Sequence, residues 1–419
     1  MKTSYLSILG ALLTIQSAFA VDFAHRGYLS AKGMKYVNDE TNESIGQRYR
    51  AQFEQTIRFN ENTELINQVR ANYNSLYGDI SKTAPADKKD KRELYLGDNY
   101  LKIKSDSWVL QTGYQDVAWG EAFGFNYADI INPKDLKETF YSDYSESRLP
   151  LFMVNFKYFF ENGSLQLIYS PEPRFSKALP VDLFTRGILP QTNIIAHREE
   201  TPDFFKQHEY GGKLSTSFWG LDASLFYFSY LDRDPVYTLK SATPSSVVLQ
   251  EIHERNKSLG ISLASTLYDN FVLRSDVVHT KDKRVNSVNG LSLVNTPVDV
   301  TNVLLSLDTP SYEKISAVFI LAGSFLSKDI PMAFREKEET YSIAKLSYDL
   351  GEEKVFDLSY THEFSHTAHA IQALYTWPVS STLEIRIGAE NYWGNEKSQL
   401  AKIKNVSNVF FGIKNYFQL

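Results

Sequence analysis

His362-Glu363-Phe364-Ser365-His366 satisfies the pattern H-E-x-x-H, and His369 stands just beyond it. On a helix that spacing brings two imidazoles to one face, where they bind zinc while the glutamate acts as general base in peptide hydrolysis. The flanks argue for a different setting. Phe356, Leu358 and Tyr360 alternate with Asp357, Ser359 and Thr361 before the motif, and Ile371, Ala373, Tyr375 and Trp377 resume the alternation after it. A period of two belongs to a strand. Residues four apart along a strand are about 13 Å apart, too far to share one zinc ion. The motif is therefore expected to cap a β-hairpin, with no catalytic role, although a turn could still fold the histidines together on a metal ion. There is no G-x-S-x-G elbow and no phosphate-binding P-loop. His279 follows Val277 on an apolar row, but no nearby serine completes a hydrolase pair. The expectation is a protein that is not an enzyme and needs no cofactor or metal.

Charged residues gather on single faces of other alternating segments. Arg48, Arg50 and Arg58 share the polar face of the segment 48–59, with Tyr49, Ala51, Phe53, Ile57 and Phe59 on the other. Arg70 accompanies Gln68, Asn72 and Asn74; Glu384, Arg386 and Glu390 share one face near the C-terminus, and Arg274 and Asp276 another. Charges on the lipid side of a membrane strand cost about 2–4 kcal/mol each near the midplane. These faces are therefore expected to line a lumen.

Trp119-Gly120-Glu121-Ala122-Phe123-Gly124 opens a connection of about thirty residues that includes Asp129-Ile130-Ile131-Asn132-Pro133-Lys134-Asp135. A loop that long is functional or disordered. Its aromatics, Phe123, Phe125, Tyr127, Phe140, Tyr141 and Tyr144, disfavour disorder. From Gly113 through Asp135 the chain resembles a group of proteobacterial outer-membrane proteins with a strand ending in W-G-E or W-G-K, followed by an N-P-x-D turn. The resemblance implies fold and location, and no catalytic residue. In many general and sugar porins the loop after the fifth strand folds inward, so by position residues 119–148 are the candidate constriction. Glu121, Asp129 and Asp135 would then oppose Arg48, Arg50 and Arg70 across the pore, a field that selects polar or anionic solutes. The alternatives are that Trp119 and Asn132-Pro133 brace an external loop, and that lumen charges only satisfy one another.

The elements that must position these groups are strands. Cysteine is absent, aromatics are 14% of the chain with 26 Tyr and 27 Phe, and the mean hydropathy is −0.31. A transmembrane barrel is polar on average because only alternate residues face lipid, and it carries aromatic girdles. The net charge of −6, without a basic patch, argues against a nucleic-acid partner. Lys2, the apolar stretch from Ile8 to Ile15 and Ala18-Phe19-Ala20 read as a secretory signal peptide over residues 1–20, leaving 21–419 as one domain. Strand-like sequence begins by Phe23–Leu29, so no plug is expected.

Short turns fall at Asn60–Thr63, Ser105–Ser107, Glu161–Gly163, Trp219–Leu221, Tyr268–Asn270, Thr309–Tyr312, Gly351–Lys354 and Pro378–Ser381. Long polar connections over 77–91, 119–148, 173–206, 233–256, 283–297, 327–338 and 391–405 alternate with them. The fold class is therefore all-β: a transmembrane, antiparallel, up-and-down β-barrel of about 18 strands (16 is the alternative), with short periplasmic turns and long extracellular loops. The last residues, Val406 to Leu419, resemble the terminal strand of bacterial outer-membrane barrels, where apolar Val409, Phe411 and Ile413 would meet lipid and the end would serve the assembly machinery. Leu419 stands where that family usually has Phe, and Asn415 interrupts the apolar face.

The function expected is a porin-like channel for passive diffusion of small polar or anionic solutes in a Gram-negative outer membrane, in contact with its lipids. Trimers are common among porins, but no segment marks a protomer interface. The rivals are a conduit for hydrophobic molecules or lipids, fed by Phe123, Phe125 and Phe140, an outer-membrane hydrolase, and a non-conducting adhesin or structural barrel.

Overall fold

The computed structural model describes residues 22–37, 45–75, 92–120, 126–135, 147–177, 193–197, 204–243, 246–289, 292–333, 335–395, 397–404 and 407–418. The proposed signal peptide, Glu121, Phe123, Phe125, Phe140 and Leu419 lie outside these residues.

Eighteen strands form one sheet that closes on itself. They are β1 (Asp22–Tyr36), β2 (Ile45–Asn60), β3 (Thr63–Asn74), β4 (Arg92–Lys104), β5 (Trp108–Gln115), β6 (Leu151–Phe160), β7 (Gly163–Ser170), β8 (Glu209–Phe218) and β9 (Leu221–Leu231). The second half comprises β10 (Arg255–Thr266), β11 (Val272–Asn289), β12 (Ser292–Asp308), β13 (Ile315–Leu326), β14 (Glu338–Gly351), β15 (Lys354–Glu363), β16 (Ala368–Pro378), β17 (Leu383–Gly394) and β18 (Asn408–Gln418). Each strand runs antiparallel to the next. β18 closes the ring on β1, from Arg26↔Gln418 to Tyr36↔Asn408. Closure leaves no unpaired edge, the condition for a sheet in lipid.

Alternation decides which wall each residue joins. On β10, Leu259, Ile261 and Leu263 are exposed on the outside while Ser258, Gly260 and Ser262 are buried inside. Phe319 and Leu321 on β13, Ile387 on β17, and Val409, Phe411 and Ile413 on β18 extend the exposed apolar belt. Hydrocarbon would cover such a belt at no polar cost.

All eight predicted turns lie at one end of the barrel. The other end carries the longer connections, with one correction. Residues 283–289 and 292–297 are not polar loop but strand: β11 and β12 keep pairing from Lys283↔Val298 to Asn289↔Ser292. Beside them, Val236–Thr243, Ser246–Ile252 and Asn193–His197 form a small separate sheet. Asn286 joins β11 to this sheet, its Oδ1 accepting from Tyr237 N at 2.7 Å and its Nδ2 donating to Tyr237 O at 2.8 Å.

Candidate functional site

The site begins where β5 ends. Gly113 has φ +133°, and a Cβ there would lie 2.2 Å from the Asn99 carbonyl oxygen and 2.7 Å from Tyr100 Cα, so only glycine fits. Past Gln115 the chain leaves the wall. The Asp116 amide donates to Asp98 Oδ1 at 3.0 Å, where a bulge between β3 and β4 interrupts the register at Asn67/Val69. Buried Asn132 then ties the two arms of connection 116–150 together. Its Oδ1 accepts from Val117 N at 2.8 Å, and its Nδ2 donates to Gln115 O at 2.9 Å and Leu149 O at 3.0 Å.

Trp119 and residues 127–131 lie inside the barrel on an apolar seat. Trp119, Ala128 and Ile131 pack with Leu151, Met153, Ile168, Phe226, Phe228, Tyr230 and Val278, all on inward faces of β6, β7, β9 and β11. The Trp119 ring lies 5.3 Å from Phe226 and 5.8 Å from Phe228, and its Nε1 donates to Gln166 Oε1 at 3.0 Å. Gly260 leaves room for this stack: a Cβ there would meet the Phe226 ring at 2.1 Å. Tyr127 carries the loop farther, onto the cluster of Leu304 on β12 with Ile320 and Ala322 on β13, on which Val318 and, from β14, Ile343 also pack. In a ring of eighteen these strands stand roughly opposite β5, so the loop crosses the lumen.

A buried ion pair holds the crossing from a third side. Arg233 grips Glu209 through both nitrogens at 2.8 and 2.7 Å, and its Nη2 donates to the Ile131 carbonyl at 2.5 Å. Glu209 is fully buried, and a bidentate arginine fork satisfies both carboxylate oxygens at once.

Of the charged residues expected to line the pore, Arg48, Arg50 and Arg58 share one face of β2 and Arg70 the same side of β3, while Glu121 lies outside the described residues. Arg48 and Arg50 stand opposite Asn74 and Asn72, and Arg70 opposite Gln52. Arg50 Nε donates to Asn72 Oδ1 at 3.1 Å. Arg58, near the turn end, pairs with Asp22 at 2.9 Å. Arg70 Nε, though buried, has no hydrogen-bond partner among the described residues. Asp129 bonds Arg148 at 2.9 Å and lies 3.6 Å from Lys134; Asp135 lies 3.4 Å from Lys177, which also holds Glu93 at 2.7 Å. Burial alone pulls the Lys177 ammonium down, but Asp135 and Glu93 outweigh it and hold it above its ordinary value. Glu384 and Arg386 pair with each other on β17. Asp129 and Asp135 are thus tied to the cations Arg148, Lys134 and Lys177.

Asp116, at the start of this connection, interacts with Arg148 and with Arg70. Burial pushes its carboxyl up to about 6; Arg148 and Arg70 draw it down, while Asp98 and Asp129 add to the rise.

The H-E-x-x-H residues diverge. Glu363 is buried inside the barrel and accepts from Ser398 Oγ at 2.5 Å. His362 faces outward, with Nδ1 at 3.1 Å from His369 Nδ1, and His366 turns to Glu336 at 3.0 Å. Among the described residues, no three His, Cys, Asp or Glu side chains stand where they could hold a metal ion. His279 is exposed on the outer wall and meets Thr301 Oγ1 at 3.0 Å.

Residues 19–309, well over half of the chain, match the family described as Protein of unknown function (DUF1302). The chain belongs to the DUF1302 family. No curated protein matches it by sequence. Among solved structures it is similar to a BenF-like porin from Pseudomonas fluorescens Pf-5, with TM-score 0.54 and 9% identity over 96% of this chain and 98% of that one. OccAB2 of Acinetobacter baumannii has TM-score 0.54 at 11% identity, with the same coverage. Pseudomonas aeruginosa OccK2 (OpdF), solved with glucuronate, has TM-score 0.51 at 9% identity, again over 96% and 98%. These likenesses establish a shared fold, that of outer-membrane barrels.

Two features of this DUF1302 barrel escaped sequence reasoning. One is the apolar seat, whose signal was the unbroken run Leu225-Phe226-Tyr227-Phe228, apolar on both faces and so covered on both. The other is the last loop. Between Gly394 and Asn408 it folds over β16 and β17 through a short helix, α1 (Gln399–Lys402). Leu400 and Ala401 pack on Ala368, and Ile403 on Ala370 and Tyr392. Ser398 caps α1, accepting from Leu400 N and Ala401 N, and its bond to Glu363 fixes the cap to the wall.

Proposed function

We propose that this barrel is a porin-like channel in a Gram-negative outer membrane, passing small polar or anionic solutes by diffusion, with connection 116–150 as its constriction. The observation that carries the reading is the crossing of the lumen from β5 to β12 and β13. Trp119 and residues 127–131 cover apolar inward residues of β6, β7, β9 and β11–β13, which supports a polar path along β1–β4. There Arg26, Arg48, Arg50 and Arg70 face inward, with Glu54 and Asp98 as counter-charges. Charges of both signs around a narrow passage replace part of a solute's hydration while excluding apolar molecules.

The inward-facing Phe226, Phe228, Leu304 and Ile320 favour a second reading, a conduit for hydrophobic molecules. Their contacts with Trp119, Ile131 and Tyr127 occupy that surface, which supports the polar path instead.

Planar-bilayer recording of the purified barrel tests the proposal. Discrete conductance steps are expected, with anion preference reduced in Arg50→Ala and Arg70→Ala, and with uptake of a carboxylated sugar such as glucuronate in liposome swelling. An absence of conductance steps sinks the channel.

A further inference from the structure

The outer side of the β15–β16 hairpin holds a cluster that a lumen pathway does not use. His362 and His369 stand directly opposite each other across the hairpin. Their rings stack at 4.7 Å and 28°, which brings the two Nδ1 atoms to 3.1 Å. The Tyr360 hydroxyl lies 2.7 Å from the same Nδ1 of His369. Trp393 stacks on His369 at 5.2 Å, and Phe364 meets the edge of His362 at 4.5 Å, so both rings are held by aromatic neighbours.

The hydrogen-bond count at this point is overcommitted. An imidazole nitrogen offers either one N–H or one in-plane lone pair. His369 Nδ1 therefore has one good bond to make, yet two heteroatoms lie within bonding distance. A cation resolves the conflict by taking the lone pairs of both Nδ1 atoms, with the phenol oxygen as a third donor. The spacing suits it. Two nitrogens about 2.0–2.1 Å from a tetrahedral ion stand roughly 3.3–3.4 Å apart, and cis on a square-planar ion about 2.8–2.9 Å. The 3.1 Å separation falls between these values. Imidazole ligands select zinc, copper and nickel over hard cations such as calcium and magnesium.

We propose that His362, His369 and Tyr360 form a surface site for a divalent transition-metal ion, with Cu2+ or Zn2+ as the best fits and the remaining coordination positions taken by solvent. His366 is not a ligand, since it turns away to Glu336. The site lies on the outer wall, so it stands or falls independently of conduction through the lumen.

The test is calorimetric titration of Cu2+ and of Zn2+ into the full-length barrel in detergent, with electron paramagnetic resonance of the copper form. One metal per chain is expected, with nitrogen couplings from two imidazoles. His362→Ala and His369→Ala should each weaken binding by more than the roughly 10–100-fold that follows loss of an outer-shell partner. His366→Ala should bind as the parent does, and unchanged heat-modifiable gel mobility will confirm that each variant is folded. Absence of stoichiometric binding, or binding indifferent to His369→Ala, or equal loss in His366→Ala, overturns the proposal.

Discussion

His362 and Glu363 are consecutive in the chain and face opposite sides of the barrel wall. The histidine meets His369 outside, at 3.1 Å between nitrogens, while the carboxylate meets Ser398 inside, at 2.5 Å. A strand separates what a helix would have gathered, and each half acquires its own work. Inside, that work is anchoring α1. Ser398→Ala should cost about 1 kcal/mol for the lost helix cap and release loop 395–407. Faster proteolytic cleavage within that loop, in Ser398→Ala and Glu363→Ala alike, is the readout. Cleavage at the parental rate would count against the anchor.

Trp119 couples the loop to the inner face of β9 through Phe226 and Phe228. Trp119→Ala removes a fully buried ring and the bond to Gln166, a change worth about 3–5 kcal/mol where the site cannot collapse. The loop should then fluctuate in the lumen. Larger and noisier conductance steps in bilayer recordings are expected, together with a lower unfolding temperature. Steps of parental size and quietness would show that the loop does not limit the passage.

Asp116 should give the proposed passage a pH dependence. Its carboxyl, raised by burial to about 6, is neutral below that value and charged above it. Lowering the pH from 7.5 to 5 removes a negative charge beside Arg148 and Arg70, so the anion-over-cation permeability ratio should rise through about pH 6. Asp116→Asn should show the acidic ratio at every pH, measured as reversal potentials in a KCl gradient. The stability sign follows the same shift. The folded state binds this proton more tightly than the unfolded chain, whose carboxyl titrates near 3.9. The contribution is therefore full below the unfolded value and is lost as pH rises through about 6.

Arg233 and Glu209 form a buried pair that also holds the Ile131 carbonyl. Arg233→Ala leaves a carboxylate buried without its partner, a loss of about 3–5 kcal/mol. Arg233→Met combined with Glu209→Gln removes both charges and should recover much of that loss. Urea unfolding from lipid vesicles measures both, and equal destabilisation by the single and double variants would argue against a charge-pair origin.

The wall was legible because a one-residue slip would move every apolar side chain to the wrong face. Hence the alternation of Arg48 and Arg50 with Tyr49 and Ala51 marked the two faces of β2, and the eight tight turns lie where Gly, Asn, Asp, Pro or Ser breaks the pattern. The signal fades where both faces are wet. Lys283, Arg284 and Asn286 carry no inside-outside contrast, so paired strands read as a loop. The site was legible only in outline. Trp119 and Asn132 stood out by type, but the partners of Asp129 and Asp135, Arg148 and Lys177, are set by how the loop returns to the wall. No local pattern encodes that.

The clip at Asn132 has a consequence for how this barrel tolerates change. Because Val117 and Leu149 are joined through one side chain, the segment they enclose hangs from a fixed hinge plate. Beyond the clip, the Asp135 amide donates to the Ser147 carbonyl at 2.6 Å, so the chain between those two residues can be lengthened or shortened while Asn132, and every strand register behind it, stays as it is. A graft of a different segment between Asp135 and Ser147, which keeps Asn132, should therefore change the proposed sieve within the same frame.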